Sequence, residues 1–213
     1  MNNGGTRDWE LKPVNGDEKC LFAFVKERAE TLGLTQTLQI LDRLRDAHGS
    51  QIRRSRNGFE TSYTVHPLTM ARHALAMKLE DDDILAACLA HDMVEDAGIA
   101  VSELPAGERV REAVRLVSKN EYPQDEADWE DRYYENIRKN PLACLVKCLD
   151  RVNNLAGMAD AFSQQKMIRY TEETDRYYPA LLEEIGKVPE WKDAQWLLRY
   201  QMTAMEEAFK RLL

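Results

Sequence analysis

Apolar residues recur every three to four positions along most of the chain, whereas runs that alternate apolar and polar residues are few. The first spacing marks one face of an α-helix and the second marks a strand, so the pattern predicts many helices and few strands. We expect a compact all-α, multi-helix bundle with short connections. The predicted helices lie at 17–32, 35–48, 67–79, 81–97, 102–118, 125–139, 140–157, 163–185 and 190–213.

Local residues set several of these boundaries. Gly33 ends the first predicted helix and Thr35 caps the second. The segment 51–64 is polar and basic, with Arg53 and Arg54 in it, and we expect it to be a loop. Asn140 followed by proline begins the helix at 140–157, because proline suits the first helical turn.

The length and composition of the chain predict one globular domain. The chain has 213 residues, 44% of them hydrophobic, which is enough for one sizeable core. We expect residues 17–213 to form that domain and 1–16 to be a flexible segment. The sequence has neither a transmembrane-length apolar run nor a signal-peptide pattern, so we expect a cytoplasmic protein. The four cysteines form no CxxC pair, and we interpret Cys88, Cys144 and Cys148 as reduced core thiols.

The net charge is −8 and the isoelectric point is near 5.2. A chain this acidic is a poor candidate for binding nucleic-acid polymers or anionic membranes, since both need a basic surface. A small phosphorylated substrate needs only a local cluster of lysines and arginines. Trp191 and Trp196 in the last predicted helix are compatible with a homo-oligomer interface and equally with core packing.

The predicted helix at 81–97 ends in four ionisable residues, His91, Asp92, Glu95 and Asp96. His91 continues the apolar face of the helix, where an imidazole needs a polar partner. Glu95 and Asp96 follow His91 and Asp92 by one helical turn. Because neighbouring carboxylates repel and are costly to bury unpaired, a bound cation would stabilise this group.

Two further residues can complete a metal site. Asp150 extends the apolar stripe of the helix at 140–157, and Asn154 follows it by one turn. His66 precedes Pro67, and proline biases the preceding residue to an extended conformation, outside the helix. Two imidazoles and two carboxylates suit Mn, Fe, Zn or a similar divalent ion better than Ca.

Four segments in this order carry a family resemblance: 47–55 (AHGSQIRRS), 63–67 (YTVHP), 86–96 (AACLAHDMVED) and 145–155 (LVKCLDRVNNL). Together they resemble the HD superfamily of metal-dependent phosphohydrolases, and within it the hydrolase domain of the RelA/SpoT family and its stand-alone small alarmone hydrolases. Because the sequence ends at Leu213, we expect no nucleotide-synthesising domain of the kind that long family members carry.

The resemblance implies a role for each matching residue. Metal ligation, typically of Mn²⁺ with Fe, Zn, Co or Mg as alternatives, falls to His66, His91, Asp92 and Asp150. Activation or positioning of the attacking water falls to Glu95 and Asp96. The resemblance assigns the substrate contacts to Arg53, Arg54, Ser55 and Asn154. We also expect Lys147 and Arg151 to neutralise phosphate charge locally, although a structural salt bridge is an equal alternative for these two residues.

The implied reaction is removal of the 3′-pyrophosphate of (p)ppGpp by a metal-activated water. Three alternatives stay open. The first is an HD-type phosphatase acting on another nucleotide, including a 2′-phosphorylated nicotinamide cofactor. The second is a metal-containing nucleotide-binding module without turnover, although such a module has no need of Glu95 and Asp96. The third is a helical interaction protein with a few buried polar residues.

Overall fold

A computed structural model of the protein describes residues 17–48, 51–54 and 60–212, with Arg54 described by its backbone alone. The predicted flexible segment 1–16 lies outside the described residues. Within them, the fold consists of α-helices, three single 3₁₀ turns and one short ribbon, so the all-α prediction is confirmed. The elements are α1 (Glu18–Leu32), α2 (Thr35–His48), β1 (Ile52–Arg54), β2 (Glu60–Ser62), α3 (Val65–Ala76), α4 (Asp82–Ala90), α5 (Met93–Ala97), α6 (Glu108–Val117), α7 (Trp129–Arg138), α8 (Pro141–Ala161), α9 (Gln164–Gly186) and α10 (Lys192–Leu212).

Helix α8 lies at the centre of the bundle. It packs against α3, α4, α6, α7, α9 and α10. Its residues are apolar on nearly every side, and those at 142–146, 148–149, 152, 155 and 158 are buried. A helix that is apolar all round must be enclosed by other helices. The polar residues that α8 does carry are therefore brought into the interior of the protein.

The helix caps are partly local and partly tertiary. Asp17 caps α1 through its side chain, and Gly33 ends that helix in the left-handed conformation with φ of 69°. The predicted cap at Thr35 is wrong, because α2 begins at that residue. Its first amides are capped instead by Asp82 of α4, whose carboxylate accepts hydrogen bonds from the Gln36 amide at 3.0 Å and the Thr37 amide at 2.8 Å.

The segment predicted as one helix at 81–97 is two helices. Helix α4 ends at Ala90, and α5 begins at Met93. Between them Asp92 has φ −95° and ψ −6°, in the sparsely populated bridge region. The chain therefore turns at the adjacent His91 and Asp92, and aspartate favours such helix-end positions. The predicted helix at 102–118 is likewise shortened, since α6 begins only at Glu108.

Two predictions around residue 60 need correction. Within the segment predicted as a loop, Ile52–Arg54 and Glu60–Ser62 form an antiparallel ribbon, in which Arg53 pairs with Thr61. His66 is not extended, because α3 begins at Val65 and the His66 amide donates to the Tyr63 carbonyl at 3.2 Å. The prediction placed Pro67 first in the helix, whereas it is the third residue of α3, where its missing amide hydrogen still needs no partner.

Among the described residues, no helix is both long and apolar enough to cross a membrane. All four cysteines are free. Cys88, Cys144 and Cys148 are buried, as the sequence predicts, and Cys20 is exposed.

Candidate metal site

A cavity of about 160 Å³ opens where the α4–α5 turn faces α8 and the ribbon. Most of its lining is polar, which is unusual for a cavity beside the core of a helical bundle. A larger depression of about 630 Å³ lies near Gly107, and none of the predicted site residues lines it. The lining of the smaller cavity consists of Arg53, Tyr63, His91, Asp92, Glu95, Asp96, Val117, Lys119, Val146, Lys147, Asp150, Asn154 and Tyr170.

His91 and Asp92 line this cavity, and His66 lies beside them behind the lining. Each can offer one ligand atom, and these three atoms lie within 4.8 Å of one another. The two imidazole rings meet edge to face, with centroids 5.1 Å apart. Asp92 lies between them, with Oδ1 at 3.0 Å from His91 Nε2 and Oδ2 at 3.9 Å from His66 Nε2. The three side chains could hold a metal ion.

The hydrogen bonding of His91 supports a cation at this position. Its Nδ1 lies 2.9 Å from the Cys88 carbonyl oxygen, which can only accept, so Nδ1 carries the hydrogen. In the neutral ring the lone pair is then on Nε2, which is buried and has no hydrogen-bond partner among the described residues. That lone pair lies beside a carboxylate oxygen at 3.0 Å. Two electron donors this close fit a bound cation, and the backbone contact orients the ring as in other metal sites.

The pKa shifts at the site favour a neutral His66 and an ionised Asp92. Burial lowers the pKa of His66, which keeps its imidazole in the neutral, metal-binding form. Burial also acts to lower the pKa of His91, but the neighbouring Asp92 carboxylate outweighs it and the net shift is upward. Burial acts to raise the pKa of Asp92, and the adjacent His91 reverses this to a net decrease. Asp92 is therefore a carboxylate at neutral pH.

Asp150 lies next to this group on α8. Its Oδ1 is 3.2 Å from His66 Nε2, and its Oδ2 accepts a hydrogen bond from Lys147 Nζ at 3.1 Å. Asn154, one helical turn later, donates a hydrogen bond to Oδ1. Burial acts to raise the pKa of Asp150, and the lysine cation more than reverses that shift. Asp150 therefore lies beside His66 but is not one of the three residues whose ligand atoms lie within 4.8 Å of one another, and its role as a fourth ligand stays a prediction.

Glu95 and Asp96 both line the cavity from α5. Glu95 Oε2 accepts a hydrogen bond from the Lys119 amide at 2.9 Å, which leaves its other carboxylate oxygen available to a ligand. Asp96 accepts a hydrogen bond from the Tyr63 hydroxyl. Two carboxylates therefore lie one helical turn from the candidate metal ligands, within reach of a molecule bound in the cavity.

The predicted substrate contacts divide into three groups. Arg53, Lys147 and Asn154 line the cavity. The Arg54 side chain and Ser55 lie outside the described residues. Arg151 is not among the lining residues, because its guanidinium is buried on the other side of α8, at 2.9 Å from Glu173 and 3.1 Å from the Tyr170 carbonyl. For Arg151 the structure agrees with the alternative of a structural salt bridge.

The predicted set omits three polar residues that line the cavity, Tyr63, Lys119 and Tyr170. Lys119 is drawn in by the 3₁₀ turn that follows α6, and its amide contacts Glu95. Tyr63 comes two residues before α3, inside the YTVHP segment, so a search of that segment for side chains other than histidine could have found it. Tyr170 had no comparable pattern, since tyrosine at a helical position usually indicates packing.

No model of a protein family matches the chain. Three curated relatives are similar over about two thirds of it. A guanosine-3′,5′-bis(diphosphate) 3′-pyrophosphohydrolase of Vibrio cholerae serotype O1 is 34% identical over 154 residues, 67% of this chain and 20% of the relative. A protein of the same name from Aquifex aeolicus is 27% identical over 147 residues, with the same two shares. The bifunctional (p)ppGpp synthase/hydrolase SpoT of Escherichia coli K12 is 30% identical over 151 residues, again 67% and 20%.

The chain thus spans about a fifth of the length of these relatives. Among solved structures, a metazoan ortholog of SpoT, described as hydrolysing ppGpp with a role in starvation responses, superimposes with a TM-score of 0.62. The superposition covers 81% of this chain and 94% of the other, at 20% sequence identity. At that identity the likeness establishes the fold.

Proposed function

This chain carries an HD-type domain of the RelA/SpoT hydrolase kind, and on that premise we propose that it is a metal-dependent pyrophosphohydrolase that removes the 3′-pyrophosphate of guanosine 3′,5′-bis(diphosphate). The observation that carries the proposal is the composition of the 160 Å³ cavity. Histidine and aspartate ligands, two further carboxylates and two lysines meet there. These groups suit metal-assisted attack of water on the phosphate ester that joins the pyrophosphate to the ribose 3′ oxygen, with the 3′ oxygen as leaving group.

We propose His66, His91, Asp92 and Asp150 as the ligands and Mn²⁺ as the ion. Mixed imidazole and carboxylate donors suit Mn²⁺ and related transition ions. A divalent ion held there would supply a Lewis acid that polarises the phosphoryl group and lowers the pKa of water toward neutrality. The Lys147 ammonium, 3.1 Å from Asp150 Oδ2, keeps that carboxylate ionised and fixes its orientation.

Glu95 is the group we propose to orient the attacking water and accept its proton. The Lys119 amide holds one of its carboxylate oxygens at 2.9 Å, so the side chain is oriented before substrate arrives. A general base must lie within one hydrogen bond of the proton that it removes, and a position lining the cavity provides that reach. Asp96, on the same helix, assists by adding negative charge next to the water.

The lysines and Arg53 are the proposed phosphate contacts. Lys119 and Lys147 line the inner wall, and Arg53 lies at the mouth with its side chain 39% exposed. Burial lowers the pKa of Lys119, with the nearby Lys147 adding to the shift. An incoming diphosphate would relieve the repulsion between these cations. We also propose Asn154, Arg54 and Ser55 as substrate contacts, in line with the sequence resemblance.

The test is a product assay. Purified protein with Mn²⁺ should release pyrophosphate from guanosine 3′,5′-bis(diphosphate) and leave GDP. Orthophosphate release from other nucleotides, with no pyrophosphate from this substrate, would contradict the proposal and favour a nucleotide phosphatase. Metal analysis of the same sample should find one ion per chain. The absence of both turnover and bound metal would overturn the proposal entirely.

We propose a cytoplasmic location on the state of the cysteines. All four thiols are free. Free thiols are typical of a reducing compartment.

A further inference from the structure

The ring of Tyr63 lies between the side chains of His48 and Arg53. One face of its ring stacks on the imidazole of His48, with centroids 4.7 Å apart and an interplanar angle of 20°. The Arg53 guanidinium carbon lies 4.5 Å from the ring centroid. His48 is fully buried, so the ring is fixed to the end of α2. The aromatic ring thus joins the ribbon, which carries Arg53, to the bundle.

The Tyr63 hydroxyl lies among the carboxylates of the site. Its single hydrogen is shared between two carboxylate acceptors, Asp92 Oδ2 at 2.8 Å and Asp96 Oδ2. The phenol is thus placed as a hydrogen-bond donor to both carboxylates.

Gln51 also links the ribbon to α2 and to α5. Its side-chain amide donates to the Asp96 carbonyl at 3.0 Å, and its Oε1 lies 2.8 Å from His48 Nδ1. The Tyr63 amide donates to the Gln51 carbonyl at 3.0 Å. Neither the ring nor α5 can shift without breaking several of these contacts, so the position of the hydroxyl is well defined relative to Asp92.

We propose that Tyr63 is a positioning residue for both functional carboxylates of this site. Its hydroxyl occupies Asp92 Oδ2 and so directs Oδ1, 3.0 Å from His91 Nε2, toward the metal position. The same hydroxyl fixes Asp96 and restrains α5, which carries Glu95. A hydrogen bond to a ligand's distal oxygen sets the direction and charge of that ligand. The catalytic part of this proposal rests on the proposed hydrolase function, and the metal-binding part does not.

The experiment compares Tyr63→Phe with Tyr177→Phe. The first variant keeps the ring and its stacking but removes the hydroxyl. The second is a matched control, since the Tyr177 hydroxyl donates to Asp131 at 2.6 Å on the surface between α7 and α9. Titration calorimetry with Mn²⁺ should show about 10- to 100-fold weaker binding for Tyr63→Phe, the usual effect of losing an outer hydrogen-bond partner, and no change for Tyr177→Phe.

A Co²⁺ absorption spectrum and separate measurements of turnover and KM complete the test. With Co²⁺ in place of Mn²⁺, the visible absorption bands of Tyr63→Phe should shift, because Asp92 binds in a changed orientation. Turnover should fall about 10- to 100-fold while KM stays within about twofold, since Arg53 keeps its platform. Tyr63→Leu, which also removes the ring, should raise KM as well. Gln51→Leu should weaken Mn²⁺ binding in the same direction with Tyr63 intact.

Unchanged Mn²⁺ affinity and an unchanged Co²⁺ spectrum in folded Tyr63→Phe would overturn the inference, whatever the enzyme hydrolyses. Failure of the wild type to release pyrophosphate would instead overturn the proposed function. In that event the Mn²⁺ titration of Tyr63→Phe against Tyr177→Phe still decides the role of Tyr63, so the two failures are distinguishable.

Discussion

Asp150 and Arg151 are neighbours in sequence, yet they belong to two buried charge clusters on different sides of α8. Asp150 faces the cavity, where His66, Lys147 and Asn154 surround its carboxylate. Arg151 faces α9, where Glu173 lies at 2.9 Å and the Tyr170 ring centroid at 3.5 Å from the guanidinium carbon. Successive residues of a helix point about 100° apart, so a single step along the chain changes the surroundings completely.

The two clusters differ in how their charged side chains are arranged. On the Arg151 side, the guanidinium pairs directly with Glu173 and tyrosine rings enclose it, with Arg151 Nε buried and without a hydrogen-bond partner among the described residues. On the Asp150 side, carboxylates and imidazole lone pairs lie close together beside a cavity, and His91 Nε2 has no hydrogen-bond partner among the described residues. Buried charge alone does not indicate function. Buried charge that lacks a partner and adjoins a cavity does.

The largest effect we expect comes from Asp92→Ala, which removes a ligand of the Asp150 side. Loss of the ion forfeits several kcal/mol of transition-state stabilisation, which is at least about a thousandfold in rate. Metal analysis should find no bound ion, while circular dichroism should show an intact helical fold. Substantial turnover in this variant would show that the Asp150 side of α8 does not hold a catalytic ion.

Glu95→Gln should follow, with a loss of about 10²- to 10⁴-fold in turnover, the range of a general base. Its amide oxygen can still accept the hydrogen bond from the Lys119 amide, so the local structure is retained. Mn²⁺ affinity, measured by calorimetry, should stay close to that of the wild type. A parallel loss of metal would mean that Glu95 acts as a ligand.

On the Arg151 side, Arg151→Met should affect stability and leave chemistry unchanged. Removing one member of a buried ion pair leaves Glu173 unpaired, at a cost of about 3–5 kcal/mol in the free energy of unfolding. Urea unfolding curves measure this loss. The double variant Arg151→Met, Glu173→Leu should recover much of it, because the unpaired charge is gone. A large change in the turnover of folded Arg151→Met would place Arg151 in the catalytic site after all.

The smallest effect concerns Glu206 of α10, near the Arg151 side. Burial, with a further contribution from Asp175, raises the pKa of Glu206 to about 7. Below its unfolded-state pKa the residue is protonated in both states and the burial costs nothing. As pH rises from about 4.5 to 7 the unfolded chain ionises first, so stability falls over that window. Lys210, which pairs with Asp175, and Arg151 face the same carboxylate and limit the shift.

Thermal melts from pH 5 to 8 test this. The contribution of Glu206 should make the wild type lose stability across the window, and Glu206→Gln should remove that part of the slope. At pH 8 the variant should melt about 2–4 °C higher, which corresponds to roughly 1 kcal/mol for a domain of this size. Equal slopes for the two proteins would contradict the assignment.

Much of the site was predictable because its residues occur in short segments with clear helical spacing. His91, Asp92, Glu95 and Asp96 lie within six positions, and Asp150 repeats the pattern of an acidic residue on an apolar face. Their convergence was not predictable from spacing, since it depends on how α4, α5 and α8 pack. The order of motifs in the family resemblance supplied that tertiary information.

The errors have local causes. The turn at Asp92 was missed because both flanking segments have good helical sequences, and only tertiary contacts reveal that the helix breaks there. The position of Arg151 could not be read from the sequence, because the apolar surroundings on the α9 side come from residues about 20 positions later. The ribbon at β1 and β2 has only three residues per strand, too few for an alternating pattern.

The carboxylate of Asp82 that caps α2 also has a kinetic consequence. Because the Gln36 and Thr37 amides bond to a residue more than 40 positions away, the start of α2 cannot be completed until α4 has docked. The helix that leads into the ribbon and the helix that leads into the His-Asp turn therefore open and close as one cooperative unit. Hydrogen exchange should show these two amides protected as strongly as the interior of α4.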